Sequence, residues 1–141
     1  MKYVLLLISL TLILSSGMTT AEKDADIAGT WVTTEGMVAG FTGEITNLTP
    51  HGDIWNLTQQ DRIIIGTNSF QLGDEQIVEN LTGIISPDGK TVNIVDKNGG
   101  LYLGTLNVDN TLSVSYLNTG EIRDKEGYGL ALSMTMEKKT G

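Results

Sequence analysis

From Gln76 to Asn118 apolar runs alternate with short turn signals: IVENLTGIIS, PDG, KTVNIVD, KNGG, LYLGTLNV, DN, TLSVSYLN. The runs have strand length and are rich in Val, Ile, Leu, Thr and Tyr. They predict four antiparallel strands joined by tight hairpins. Pro87 supplies the fixed φ of a turn's second position, and Gly89 the positive φ that other residues avoid. Asn98-Gly99 predicts a type I′ turn, and Asp109-Asn110 is a weaker version of the same signal. Connections this short cannot hold a crossover helix, so neighbouring strands run antiparallel.

The same punctuation continues on either side. Ile27 to Thr34 reads as a first strand, Gly36 to Gly40 as a loose stretch, and Phe41 to Leu48 as a second strand. Thr49-Pro50-His51-Gly52-Asp53 is a turn, because Pro cannot join a ladder and Gly and Asp favour bends. Ile54 to Gln60 and Arg62 to Leu72 are a third and a fourth strand. The run Ile63-Ile64-Ile65 predicts burial on both faces, or a bulge. After Asn118 comes a polar loop, 119–127, with Glu121, Arg123, Asp124, Lys125 and Glu126. In the last strand, Tyr128 to Glu137, Tyr128, Leu130, Leu132, Met134 and Met136 share one face. Past the first 21 residues nothing has a helical period with caps. The expected fold is all-β: a single domain, 29–138, forming an antiparallel up-and-down (meander) β-barrel of about eight strands. A two-sheet sandwich is the other arrangement this pattern allows. Closing the sheet removes its exposed edges.

Residues 1–21 have the form of a secretory signal peptide. Lys2 gives the positive start, Val4 to Leu14 the apolar run, and Thr19 to Ala21 the small residues before a cut after Ala21. The run is shorter than the ~20 residues that span a bilayer. This predicts a secreted or extracytoplasmic protein, with 22–28 as a flexible lead-in. The whole chain has 9 basic and 17 acidic residues and a net charge of −8. Removing Lys2 with the leader leaves 8 bases against 17 acids, or −9. Such a balance argues against nucleic acid and anionic membranes as partners. There is no cysteine. The fold must hold without disulfides, and a lipid anchor on cysteine is excluded.

Composition also narrows the chemistry. The single histidine, His51, lies in the turn at 49–53, and no G-x-S-x-G pattern is present, so a Ser-His-Asp arrangement has little to build on. One histidine and no cysteine leave no zinc set. Asp96-Lys97-Asn98-Gly99 resembles the start of a calcium loop but lacks its distal Glu, and reads as a hairpin turn. Met134 and Met136 read as core. Catalytic residues, metal ligands and cofactors are therefore expected to be none.

Candidates for binding come from the strands. Trp31, Trp55 and Tyr116 are pocket-lining or core aromatics. Glu79 shares a face with Ile77, Leu81, Gly83 and Ile85. In that register it is an acid in an apolar lumen that needs a ligand, a water or a partner such as Arg62. In the other register Val78, Asn80, Thr82 and Ile84 face inward. Asn47, Asn56 and Asn80 each begin an Asn-Leu-Thr glycosylation sequon.

Gly29-Thr30-Trp31 on the first strand resembles the Gly-x-Trp start of lipocalins and the Gly-Thr-Trp start of avidin-like proteins. Both families are eight-stranded antiparallel barrels that hold a small ligand at one end. Ser86-Pro87-Asp88-Gly89-Lys90-Thr91-Val92, with Asn98-Gly99-Gly100 and Leu103-Gly104-Thr105-Leu106, looks like a small secreted family of archaeal type. The lipocalin and avidin resemblance implies a non-catalytic barrel binding a small apolar molecule. The alternative is an extracellular structural or interaction module with a fully packed barrel and no ligand. An exported hydrolase using two carboxylates is a third reading.

Overall fold

In the strand Thr111–Asn118, Leu112, Val114 and Tyr116 are buried while Ser113, Ser115 and Leu117 are exposed. That period of two recurs through the chain and gives the sheet one apolar face. The computed structural model describes residues 25–40, 42–118 and 129–140. The leader with its cut after Ala21, Phe41, the loop at 119–127 and Tyr128 lie outside the described residues.

The described residues form nine strands: β1 (Gly29–Gly40), β2 (Ile45–Asn47), β3 (Asp53–Gln60), β4 (Ile63–Leu72), β5 (Glu75–Ile85), β6 (Thr91–Asp96), β7 (Leu101–Leu106), β8 (Thr111–Asn118) and β9 (Leu130–Lys138). From β3 to β9 each strand pairs antiparallel with the next in sequence. β1 pairs with β3 on one edge and β9 on the other, closing an eight-stranded antiparallel barrel.

β1 differs most from expectation. It runs on through Gly36–Gly40, which the glycines marked as loose, and the second strand shrinks to three residues beside Met37–Ala39. A register shift between Thr33 and Glu35 bends β1 at the point where its partner changes from β3 to β2. Gly36 is needed there. A Cβ would lie 2.6 Å from the Ser133 carbonyl oxygen and 2.9 Å from Met134 Cβ.

Two further expectations are corrected. Ile63-Ile64-Ile65 is neither doubly buried nor bulged. Ile64 is buried, Ile63 and Ile65 are 48% and 59% exposed, and the pairing with β3 and β5 is continuous. The strand simply alternates, with isoleucines on both faces. Asn98-Gly99 does not form a type I′ turn, since Gly99 alone of the pair has positive φ, at 80°. Asp96 instead accepts hydrogen bonds from the backbone N–H of Asn98 (2.7 Å) and Gly100 (2.9 Å) and sets a longer loop.

The described part of the lead-in, 25–28, lies against the barrel. Ala25 and Ile27 are buried in the core. Gln59 fixes them by donating to the Ala25 carbonyl (3.0 Å) and accepting from Ile27 N–H (2.9 Å). Beneath lie Trp31, Leu57, Ile64, Ile85, Val92, Leu112 and Met136, all buried. They come from the strand ends near the turns 61–62, 86–90 and 107–110, and fill one end of the lumen.

Candidate functional site

One row of paired residues crosses the inner wall: Trp31 opposite Trp55, Trp55 opposite Asn68, and Asn68 opposite Glu79. All four are buried. The row passes from indoles to an amide to a carboxylate, and so from the packed end toward the other half of the lumen. That half contains a cavity of about 1030 Å³. Its apolar lining includes Val38, Leu48, Phe70, Leu72, Leu130 and Leu132, and its polar lining includes Asp53, Asn68, Glu79, Asn98, Tyr102, Tyr116 and Asn118.

β5 settles the register that the sequence left open. Glu79, Leu81 and Ile85 are buried and Val78, Asn80 and Thr82 are exposed, so the Glu79 carboxylate faces inward. It accepts a hydrogen bond from the Asn98 amide. Asn98 sits in the β6–β7 turn and reaches the lumen because Asp96 holds that turn. The second oxygen of Asp96 accepts from the Tyr116 hydroxyl at 2.9 Å, and that hydroxyl accepts from Asn118 at 2.9 Å. The Tyr116 ring crosses Gly100 so closely that no side chain would fit there.

Tyr102 stands beside this network. Its ring centroid is 4.2 Å from that of Tyr116 and meets Trp55 edge-on at 5.1 Å. Burial, foremost, pushes both phenols up. Tyr116 reaches about 12, and the Asn118 amide partly offsets the rise. Tyr102 rises further, with the neighbouring Tyr116 adding to burial. Both keep their protons at neutral pH.

Asn68 is 1% exposed. Its amide nitrogen donates to Asp53 Oδ1 (3.4 Å) and to the Tyr102 hydroxyl oxygen (3.3 Å). Its carbonyl oxygen has no hydrogen-bond partner among the described residues. Burial raises the pKa of Asp53, and the Asn68 amide only partly offsets this.

The residues singled out in the sequence separate. Glu79 and Tyr116 line the cavity. Trp31 belongs to the packed end, where its indole N–H donates to the Ile27 carbonyl at 2.8 Å. Trp55 lies behind Tyr102, and its indole N–H has no partner among the described residues. Met134 and Met136 are core, and His51 is an exposed turn residue. Asn47, Asn56 and Asn80 are all exposed. Asn68, Asp53 and Tyr102 were not singled out as site residues. Asn68 carries a usable signal, because it stands in period with Ile64 on β4.

No family model matches the chain, and no curated protein matches it. The likeness to a secreted family of archaeal type therefore rests on the quoted residues alone. Among solved structures the chain is similar to the possum milk whey lipocalin trichosurin, crystallised at pH 4.6 with bound 4-ethylphenol. The two share 11% sequence identity over 77% of this chain and 73% of that one, with a TM-score of 0.46.

Proposed function

We propose that this chain is an exported binding protein that holds a small, mostly apolar molecule in its barrel. One observation carries the reading: half of the lumen is a cavity of about 1030 Å³ above a fully packed floor. Small-molecule sites have volumes of roughly 300–1,000 Å³, mostly apolar walls and a few placed polar groups. This cavity matches that description in both size and wall. A barrel serving only as a structural or interaction module has no need of a void, which forfeits the packing energy that its lining could gain. Export is supported by Lys2, the apolar run and the small residues before Glu22. N-terminal sequencing of protein from its own host should then begin at Glu22.

The binding reading is tested by titration with N-phenyl-1-naphthylamine, whose fluorescence rises in apolar sites. Saturable enhancement is expected in the wild type. Leu132→Trp, which narrows the cavity from β9, should weaken it. Absence of enhancement in the wild type, or equal enhancement in both proteins, would overturn the proposal.

A further inference from the structure

Two hydrogen-bond acceptors stand side by side in the wall of the cavity. Asn68 is buried, and its NH₂ group faces the Tyr102 oxygen and the Asp53 carboxylate, an acceptor-only group that the carbonyl arm would not satisfy. Its carbonyl is consequently the arm without a partner among the described residues. Asp53 adds a second acceptor beside it. That carboxylate accepts from the Asn68 amide at 3.4 Å. Both residues line the cavity. Two adjacent acceptors call for a donor, and a buried carbonyl without one is costly.

Resting on the lumen reading above, we propose that the cavity selects a protonated amine on an aromatic body, with the ammonium between the Asp53 carboxylate and the Asn68 carbonyl. An ammonium has three N–H donors and no acceptor, so it can serve both groups at once. A hydroxyl donates only one hydrogen and brings no charge. A carboxylate ligand would meet like charge. Burial disfavours ionised Asp53, and a cation beside it reverses that penalty. The described lining residues include the acids Asp53 and Glu79 and no Lys, Arg or His. Glu79 is engaged by Asn98, which leaves Asp53 as the seat of the charge. Phe70, Tyr102 and Tyr116 supply the ring faces against which a cation and an aromatic body are both favoured.

The test is displacement of N-phenyl-1-naphthylamine at pH 7 by three molecules of matched size: 4-phenylbutylamine, 4-phenylbutanol and 4-phenylbutyrate. In the wild type the amine should displace the dye at least about tenfold more effectively than the alcohol, and the carboxylate least. Asp53→Asn keeps the shape and removes the charge. It should erase the amine preference, so that amine and alcohol displace the dye alike, and Asp53→Ser should do the same. If the alcohol matches the amine, or both variants leave the preference intact, the amine assignment falls and the lumen reading stands. If the dye does not bind the wild type, both fall.

Discussion

At one end of the barrel Trp31, Ile64, Ile85, Val92 and Leu112 close on one another. At the other, Asn68, Glu79, Asp96, Tyr102 and Tyr116 hold their side chains through hydrogen bonds and ring contacts beside the cavity. The same strands supply both halves. The apolar end needs only residues of suitable size, because dispersion and burial are non-directional. The polar end needs each donor matched to an acceptor, because a buried polar group without a partner destabilises the fold. Two of its members are neighbours along the chain: Asp96 ends β6, and Asn98 sits in the turn that follows. The loop geometry and the site geometry are thus set by the same side chains.

Deleting a side chain at each end gives the largest contrast. Trp31→Ala should cost about 3–5 kcal/mol, since it opens a void in the filled half. Leu132→Ala should cost about 1 kcal/mol or less, since Leu132 is half-buried and already borders free volume. Urea unfolding of the two variants measures this, and equal losses would erase the distinction between the ends. Next comes Asp96→Ala. It leaves the Asn98 and Gly100 N–H groups and the Tyr116 hydroxyl without their acceptor, and should cost about 1–3 kcal/mol. A melting temperature unchanged from the wild type would show that the turn holds without the carboxylate.

The remaining effects depend on pH. The folded pKa of Asp53 lies above its ordinary 3.8. Below 3.8 the group is protonated in both states and carries no penalty. As pH rises through the folded value its ionisation weakens the fold. Asp53→Asn should therefore raise the urea midpoint at pH 7 and leave it unchanged at pH 3. A gain at both would point to a cause other than charge. Smallest is the exposed turn residue Asp88. The Thr91 hydroxyl and the Thr91 and Lys90 N–H groups hold its pKa at about 2. Its contribution is present above 3.8 and is lost as pH falls through the folded value. Carboxyl NMR titration should place the Asp88 midpoint near 2, and a midpoint near 3.8 would remove that turn from the account.

The packed end was readable because alternation alone specifies it. Leu112 and Val114, or Met134 and Met136, declare their face by period. The cavity end was half readable. Tyr116 stands in an apolar alternation and was found. Glu79 sits between two registers that the sequence could not separate, and only closure against β4 decides them. Asp96 reads as a turn residue; it ends β6, with one oxygen holding the turn that follows and the other serving Tyr116. Asn68 stands in period with Ile64, but its role shows only once Trp55 and Glu79 are seen on either side of it. Such roles depend on cross-strand register, which a linear pattern does not encode. The lead-in misled for a related reason. Ala25 and Ile27 are too short a run to announce a strand, yet they cap the filled end.

The chain has two tryptophans, and the register places them opposite one another on β1 and β3. Trp31 has its indole N–H bonded to a backbone carbonyl, while Trp55 lies edge-on to the cavity-lining Tyr102 with its N–H unbonded among the described residues. The protein therefore carries two intrinsic optical probes in different surroundings. An occupant of the lumen should shift or quench the emission of Trp55 and leave that of Trp31 unchanged. Loss of the strap at 25–28 should do the reverse. A Trp31→Phe protein would make the remaining fluorescence a single-site report on what enters the barrel.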